Sequence, residues 1–349
     1  MPFGQCAVFL VKLQQHQSLA VRESLMFESM AEFEQFFSHI HTNQWHQVAE
    51  FNNQESATCY VLLSTTQSNL DISDELLATL ASLSVAKVAK VAPHPELPNA
   101  LALHVQASQQ STKEVLKAFL APSEVVEVNV FANAPSINQP GLLVMDMDST
   151  AIQIECIDEI ARLANVYEEV ASVTRQAMQG ALPFSESLRK RVAKLEGVSL
   201  ELMAELKDNL PLMPGVKALC QHLKEKGWKL AIASGGFVPF AERVQTLLRL
   251  DAIHANTLED NGAELTGKVL GKIVDADEKA RFLTHYANEL NLPISQTIAM
   301  GDGANDLVMM AASGLGVAVH GKPLVAETAD VAVNFGSLLQ VLYFISLPE

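Results

Sequence analysis

Residues 142–150 read Leu-Leu-Val-Met-Asp-Met-Asp-Ser-Thr. Four apolar residues in a row are too few for a helix, and with Gly141 before them they predict a buried parallel strand. That strand ends on two carboxylates and two hydroxyls. In an open α/β sheet, ligands bind at the carboxyl ends of the strands, so the residues just past each strand decide the reading. Residues 228–233 (WKLAIA) run into Ser234-Gly235-Gly236. Residues 297–300 (TIAM) run into Gly301-Asp302-Gly303-Ala304-Asn305-Asp306, and Leu315–Val319 continues in the same style. Strand, loop and helix in repetition predict an α/β core built on a doubly wound parallel sheet.

Outward from that core the pattern changes twice. Between the first two strands, residues 157–170, 185–195 and 199–206 have amphipathic helical spacing, closed by PLMPG at 211–215. This predicts a helical insertion over about 155–213, directly after the first strand. Residues 263–274, just after Asn261-Gly262, predict a hairpin on a type I′ turn, which needs positive φ at both central residues. Residues 1–135 carry short β-like runs at 6–11, 60–64, 100–105 and 125–131. Helical patterns such as 111–120, with Ser111 as N-cap, lie between them and predict a separate α+β domain. The segment NAPSINQP at 133–140 has linker composition, which places a second domain at 140–349.

The chain has 349 residues, 24 Lys and Arg against 40 Asp and Glu, and a net charge of −16. With 49% hydrophobic residues it is not a disordered chain. The acidic excess falls on both halves and leaves no basic stripe, which excludes a phosphate-backbone nucleic-acid binder. An acidic protein that handles an anionic substrate must supply positive charge locally, from a metal or a few placed cations. No apolar run approaches the roughly 20 residues of a membrane helix, and MPFGQCAVFLVKLQQ lacks the basic leader of a signal peptide. Cys6, Cys59, Cys156 and Cys220 form no CxxC pair. The expectation is a reduced, cytoplasmic protein with a small-molecule substrate, without nucleic-acid or membrane partners.

Asp146, Asp148, Asp302 and Asp306 would all meet at the strand ends, with Lys279 opening the helix DEKARFLTHYANEL nearby. A DxD pair is common by chance, and a lone Lys at a helix start is usually a surface residue. Their conjunction is harder to explain as structure. Converging carboxylates repel one another unless a hard cation is present, and oxygen-only ligation suits Mg²⁺. A phosphate beside it would be held by Lys279, the Ser234 hydroxyl and backbone N–H groups exposed by glycine. Cys156 and Arg162 match the C-x5-R spacing of cysteine-dependent phosphatases. The residues between them, Ile-Asp-Glu-Ile-Ala, are helical in pattern and carry two carboxylates that would repel thiolate and phosphate alike. Cys156 therefore reads as a packed helix residue.

Together, DMDST at 146–150, Glu155, Arg191, Ser234-Gly235-Gly236, Lys279 and GDGAND at 301–306 resemble the haloacid dehalogenase-like phosphatases, and within them the branch that acts on phosphoserine. The resemblance covers about residues 140–340. It implies Asp146 as nucleophile, Asp148 as general acid and then base, and Ser234 and Lys279 as neutralising groups on the phosphoryl. It implies Mg²⁺ held by the Asp146 carboxylate, the Asp148 main-chain carbonyl and Asp302, with Asp306 in support. The helical insertion would be a cap that selects the substrate. There Arg191 would grip the carboxylate and Glu155 the ammonium, with Met178 and Phe184 as apolar contacts and Gly235 and Asn305 lining the pocket. The family also contains members with an amino-acid-sensing domain of the ACT type, a ferredoxin-like fold. For residues 1–135 that reading stands beside a packing or homodimerisation module. Two rivals remain open: action on another small phosphomonoester such as phosphohomoserine, including phosphotransfer, and a non-catalytic amino-acid-binding regulator.

Overall fold

A computed structural model of the chain describes residues 30–49, 57–178 and 182–348. The strand expected at 6–11 lies outside the described residues. Contacts divide the chain into two units: one ends at Ala132 and takes in Leu347 and Pro348, and the other runs from Asn133 to Ser346.

In the first unit, α1 (Met30–His39) and the short β1 (His46–Gln47) precede β2 (Cys59–Ser64), α2 (Asp74–Ala81), β3 (Val85–Val91), β4 (Ala100–Val105), α3 (Gln109–Val115) and β5 (Glu127–Phe131). From β2 onward this is the β-α-β-β-α-β order of ferredoxin-like folds. The antiparallel sheet runs β1-β3-β4-β2-β5. Alternate residues Val61, Leu63, Leu101, Leu103, Val128 and Val130 enter one core with Leu76, Leu77 and Leu80 of α2. Two details differ from expectation. The β3 sequence VAKVAKV repeats every three residues rather than two; a register irregularity between Val85 and Lys87 lets it pair as a strand. The N-cap of α3 is Ser108, whose extended backbone presents Oγ to the Ser111 N–H at 3.1 Å.

The second unit opens with β6 (Leu142–Met145). Four helices come next: α4 (Cys156–Leu163), α5 (Tyr167–Met178), α6 (Phe184–Ala193) and α7 (Leu200–Asp208). The sequence pattern at 157–170 suggests one helix; the structure has two. Asn165 adopts φ +59° just past α4, the left-handed residue that commonly ends a helix. Ser199, expected inside α7, instead caps it by accepting the Leu202 N–H at 3.3 Å.

After the cap helices come α8 (Val216–Glu225), β7 (Lys229–Phe237), α9 (Val238–Leu248), β8 (Ala252–Asp260), β9 (Leu265–Leu270), α10 (Ala276–Glu289) and β10 (Thr297–Gly301). The unit closes with α11 (Leu307–Ala311), β11 (Leu315–Val319), α12 (Pro323–Thr328), β12 (Val331–Val333) and α13 (Val341–Ile345). The sheet order is β12-β11-β10-β6-β7-β8-β9, parallel except for β9. β8 and β9 form the expected hairpin, but not on a type I′ turn. Asp260 pairs with Leu265, leaving a four-residue connection in which Gly262 has φ +89° and Asn261 does not have positive φ. Asn261 Oδ1 accepts from the N–H groups of Ala263 and Glu264 instead, so the side chain builds the turn.

The order of connections reverses between β6 and β10, which is where such sheets bind ligands. Met145 pairs with Met300 across these two strands. The next residues, Asp146 and the Gly301-Asp302 corner, are therefore delivered side by side. Among the described residues, no helix is long and apolar enough to cross a membrane.

Candidate active site

At the end of β6 the Asp146 N–H donates to Met300 O at 2.8 Å, pinning the strand end to β10. The Asp146 carboxylate is then held from two sides. Oδ1 accepts the Met147 N–H at 2.7 Å, and Oδ2 lies 2.8 Å from Lys279 Nζ. Lys279 sits in the first turn of α10 and is 1% exposed; it also meets Asp306 Oδ1 at 2.7 Å. Burial works against its charge, but Asp146 and Asp306 outweigh burial and hold the ammonium above its ordinary pKa. Such an ion is buried only because it is paired on both sides.

Asp146, Asp302 and Asp306 bring carboxylate oxygens within 4.8 Å of one another. Burial, then the charges of Asp146 and Glu155, pushes the Asp302 carboxyl up to about 6, even though Thr150 Oγ1 donates to Asp302 Oδ1 at 3.2 Å. Burial and Asp146 also raise Asp306, although Lys279 and the Gly303 N–H, at 3.0 Å from Asp306 Oδ2, pull the other way. One ammonium cannot neutralise three carboxylates. An oxygen-only cluster left with excess negative charge fits a hard divalent cation.

Asp148 lies two residues beyond Asp146, on the cap side. Burial, then Glu155 and Asp146, drives its carboxyl well above the ordinary range, although the Cys156 thiol and N–H donate to it. Its Oδ1 is buried with no hydrogen-bond partner among the described residues. A shift in that direction favours the protonated form, the form from which a general acid acts. The neighbouring Cys156 thiol is pushed far up by burial and then by Asp148. It is no thiolate nucleophile. Arg162, the other half of the decoy pair, meets Glu159 at 3.3 Å and lies 3.8 Å from the Tyr167 ring centre.

Ser234 Oγ accepts the Gly236 N–H at 2.9 Å. The two glycines permit close approach: a Cβ on Gly236 would lie 2.7 Å from Met147 Cε and 3.2 Å from Asp148 Oδ2, and one on Gly235 would lie 2.9 Å from Phe184 Cζ. Phe184 of the cap thus overhangs the Ser-Gly-Gly corner. A cavity of about 200 Å³ runs past Phe184, Lys279 and Asn305 to Val274, Asp275 and Asp277.

Glu155 precedes α4 and accepts Ser149 Oγ at 2.8 Å. Crowding by the cleft walls raises its pKa, as do Asp146 and Asp158, while Ser149 and Arg191 pull it down; by area the residue remains exposed. Arg191 is in α6. Its Nε is buried without a hydrogen-bond partner among the described residues, and burial lowers its pKa while Asp158, Glu155 and Asp148 pull the other way. Met178 ends α5, and its side chain lies outside the described residues. Residue patterns did not single out Thr150, which ties to Asp302, or Asp158, which stands by Arg191 and Glu155. Thr150 was legible as the last residue of DMDST, whereas Asp158 had no signal beyond its helical position.

A family model of haloacid dehalogenase-like hydrolases matches residues 141–314. Phosphoserine phosphatase from Vibrio cholerae is 52% identical over 214 residues, which are 61% of this chain and 65% of that protein. The match therefore spans just under two thirds of that relative's length. The Idiomarina loihiensis phosphoserine phosphatase is 51% identical over 202 residues, 58% of this chain and 92% of that one. Among solved structures, an unliganded probable phosphoserine phosphatase from Vibrio cholerae aligns at a TM-score of 0.66 and 40% identity, covering 84% of this chain and 88% of its own. A substrate-bound phosphoserine phosphatase complex aligns at 0.56 and 35% identity over 59% of this chain and 99% of that one.

Proposed function

This chain belongs to the phosphoserine phosphatases of the haloacid dehalogenase-like hydrolases, and from that premise we propose that it hydrolyses O-phospho-L-serine to L-serine and phosphate, the final step in making serine. The observation that carries the substrate reading is that the opposite charges of Arg191, on a helix of the insertion, and Glu155 lie near enough to act on each other and on Asp148. Phosphoserine offers one group to each: its carboxylate to the guanidinium fork and its ammonium to Glu155.

Asp146 attacks phosphorus to form an aspartyl-phosphate, and the seryl oxygen leaves with the proton of Asp148. Asp148, now ionised, takes a proton from the water that attacks the same phosphorus, and phosphate leaves Asp146 free. Lys279, 2.8 Å from Asp146, would neutralise the transferring oxygens, and the Ser234 hydroxyl would hydrogen-bond to them. The cation of this reading is Mg²⁺, which the Asp146 and Asp302 carboxylates and the Asp148 main-chain carbonyl would hold, with Asp306 in support; bound there it would neutralise charge on the phosphoryl oxygens.

The direct test is phosphate release from phosphoserine, phosphohomoserine and p-nitrophenyl phosphate, each with Mg²⁺ and with a chelator. Phosphoserine should be the best substrate and should require the metal. Preference for phosphohomoserine would redirect the assignment. Metal binding should also show in stability. A ligand at 100 times its Kd adds about 2.7 kcal/mol, which for a unit of this size raises Tm by about 5–10 °C. Asp302→Asn should lose most of that rise, and equal melting of the wild type in Mg²⁺ and in chelator would rule out the cluster as the metal site.

The reading extends to the whole chain as one catalytic domain at 140–349 with its cap over about 155–213, and an N-terminal domain at 1–135 acting as an ACT-like sensor or homodimer contact. Three buried, unpaired cysteines, Cys59, Cys156 and Cys220, favour the cytoplasm as its location.

A further inference from the structure

Ser149 stands where the backbone favours glycine. Its φ is +55°, in the left-handed region that side chains with a Cβ avoid. Asn43, Asn165 and Asn291 occupy the same region, which asparagine tolerates, and so do Arg249 and His320. Arg249 does so as a helix C-cap, where that conformation is common; Ser149 ends no helix, which leaves its side chain to supply a reason. The hydroxyl supplies one. Ser149 Oγ donates to Glu155 Oε1 at 2.8 Å, and the Ser149 N–H donates to Ile154 O at 3.2 Å. The two bonds close residues 149–155 into a loop that ends on the Glu155 carboxylate. Glu155 occupies the N-cap position of α4 without capping that helix through its side chain, so Ser149 does for this carboxylate what a helix terminus does not. The next residue repeats the arrangement: Thr150 donates to Asp302.

We propose that Ser149 is a positioning residue for substrate specificity: it accepts a strained backbone in order to aim the Glu155 carboxylate at the substrate ammonium. The inference rests on the phosphoserine reading of the same site. A carboxylate held at one oxygen cannot swing through its side-chain torsions, so less order is lost when the ammonium arrives. The phosphate and carboxylate of the substrate are gripped elsewhere and do not depend on Ser149.

The experiment compares phosphoserine with 3-phosphooxypropanoate, which keeps the phosphate and the carboxylate but lacks the ammonium. Full-length wild type, Ser149→Gly and Ser149→Asn are assayed for kcat and KM on both compounds, and each protein is melted. The wild type should prefer phosphoserine. Ser149→Gly suits the backbone but removes the donor. It should melt close to the wild type and lose about 10-fold of that preference, or about 1.4 kcal/mol, through KM for phosphoserine rather than kcat. Ser149→Asn suits the left-handed backbone and carries an N–H donor, and it should restore part of the preference. A well-folded glycine variant with wild-type preference would overturn the role of Ser149 alone, leaving Glu155 as the ammonium site. Equal loss of kcat on both compounds would make Ser149 a loop-shaping residue and also overturn the proposal. A wild type indifferent to the ammonium would instead remove the reading of Glu155, and this inference with it.

Discussion

Asp146→Asn is expected to reduce phosphoserine turnover by about 10⁴-fold or more, the scale seen when a covalent nucleophile is removed. The amide matches the carboxylate in shape but is a poor nucleophile towards phosphorus. The surroundings predict that the fold survives. Asparagine has one oxygen where the carboxylate has two, so it can accept from Met147 N–H or from Lys279 but not from both. Lys279 keeps its bond to Asp306, and the negative excess around Asp302 and Asp306 falls by one charge. The lost hydrogen bond and the relieved repulsion oppose each other, so the variant should melt within a few degrees of the wild type. Rapid-quench labelling with phosphoserine should trap radiolabel on the wild type and none on Asp146→Asn. Turnover above a trace in a well-folded variant would mean that another group attacks phosphorus.

The strand ends that frame this chemistry were legible because each is a short apolar run ending abruptly on polar residues. Leu142–Met145 and Leu315–Val319 have the same bounds in the sequence pattern and in the structure. Short-range competition was harder to see. Nothing in the amphipathic pattern at 157–170 marks Asn165 as the break between α4 and α5, because asparagine also occurs inside helices. The VAKVAKV strand hid behind a three-residue repeat that an irregular register accommodates. Of the candidate residues, those at strand ends could be placed by topology alone. Arg191 and Phe184 could not, since a cap helix can turn either face towards the site. Their positions come from tertiary packing, and in the sequence only the family resemblance pointed to them. Asp158 illustrates the limit: its influence on Arg191 comes from α4 and α6 meeting, and spacing along one helix does not encode that.

Arg191→Ala should separate specificity from chemistry. The guanidinium is charged, has a buried Nε without a hydrogen-bond partner among the described residues, and stands among Asp158, Glu155 and Asp148. A substrate carboxylate would give it the planar partner it lacks. Truncating one member of a buried charge pair costs on the order of 2–5 kcal/mol, roughly a 30- to 5,000-fold fall in kcat/KM for phosphoserine at a factor of ten per ~1.4 kcal/mol. p-Nitrophenyl phosphate has no carboxylate and should lose far less. It should not be wholly indifferent, because Arg191 also offsets the carboxylates around Asp148. Without that cation Asp148 holds its proton more tightly, which makes it a weaker acid towards the leaving group, though p-nitrophenolate needs little protonation. The aryl phosphate should therefore show a small fall in kcat. Arg191→Lys should recover only part of the phosphoserine activity, because an ammonium keeps the charge but cannot form the two parallel bonds of a guanidinium. Equal losses on both substrates would make Arg191 a structural or phosphate-binding residue, and the substrate reading would then rest on Glu155 and family membership.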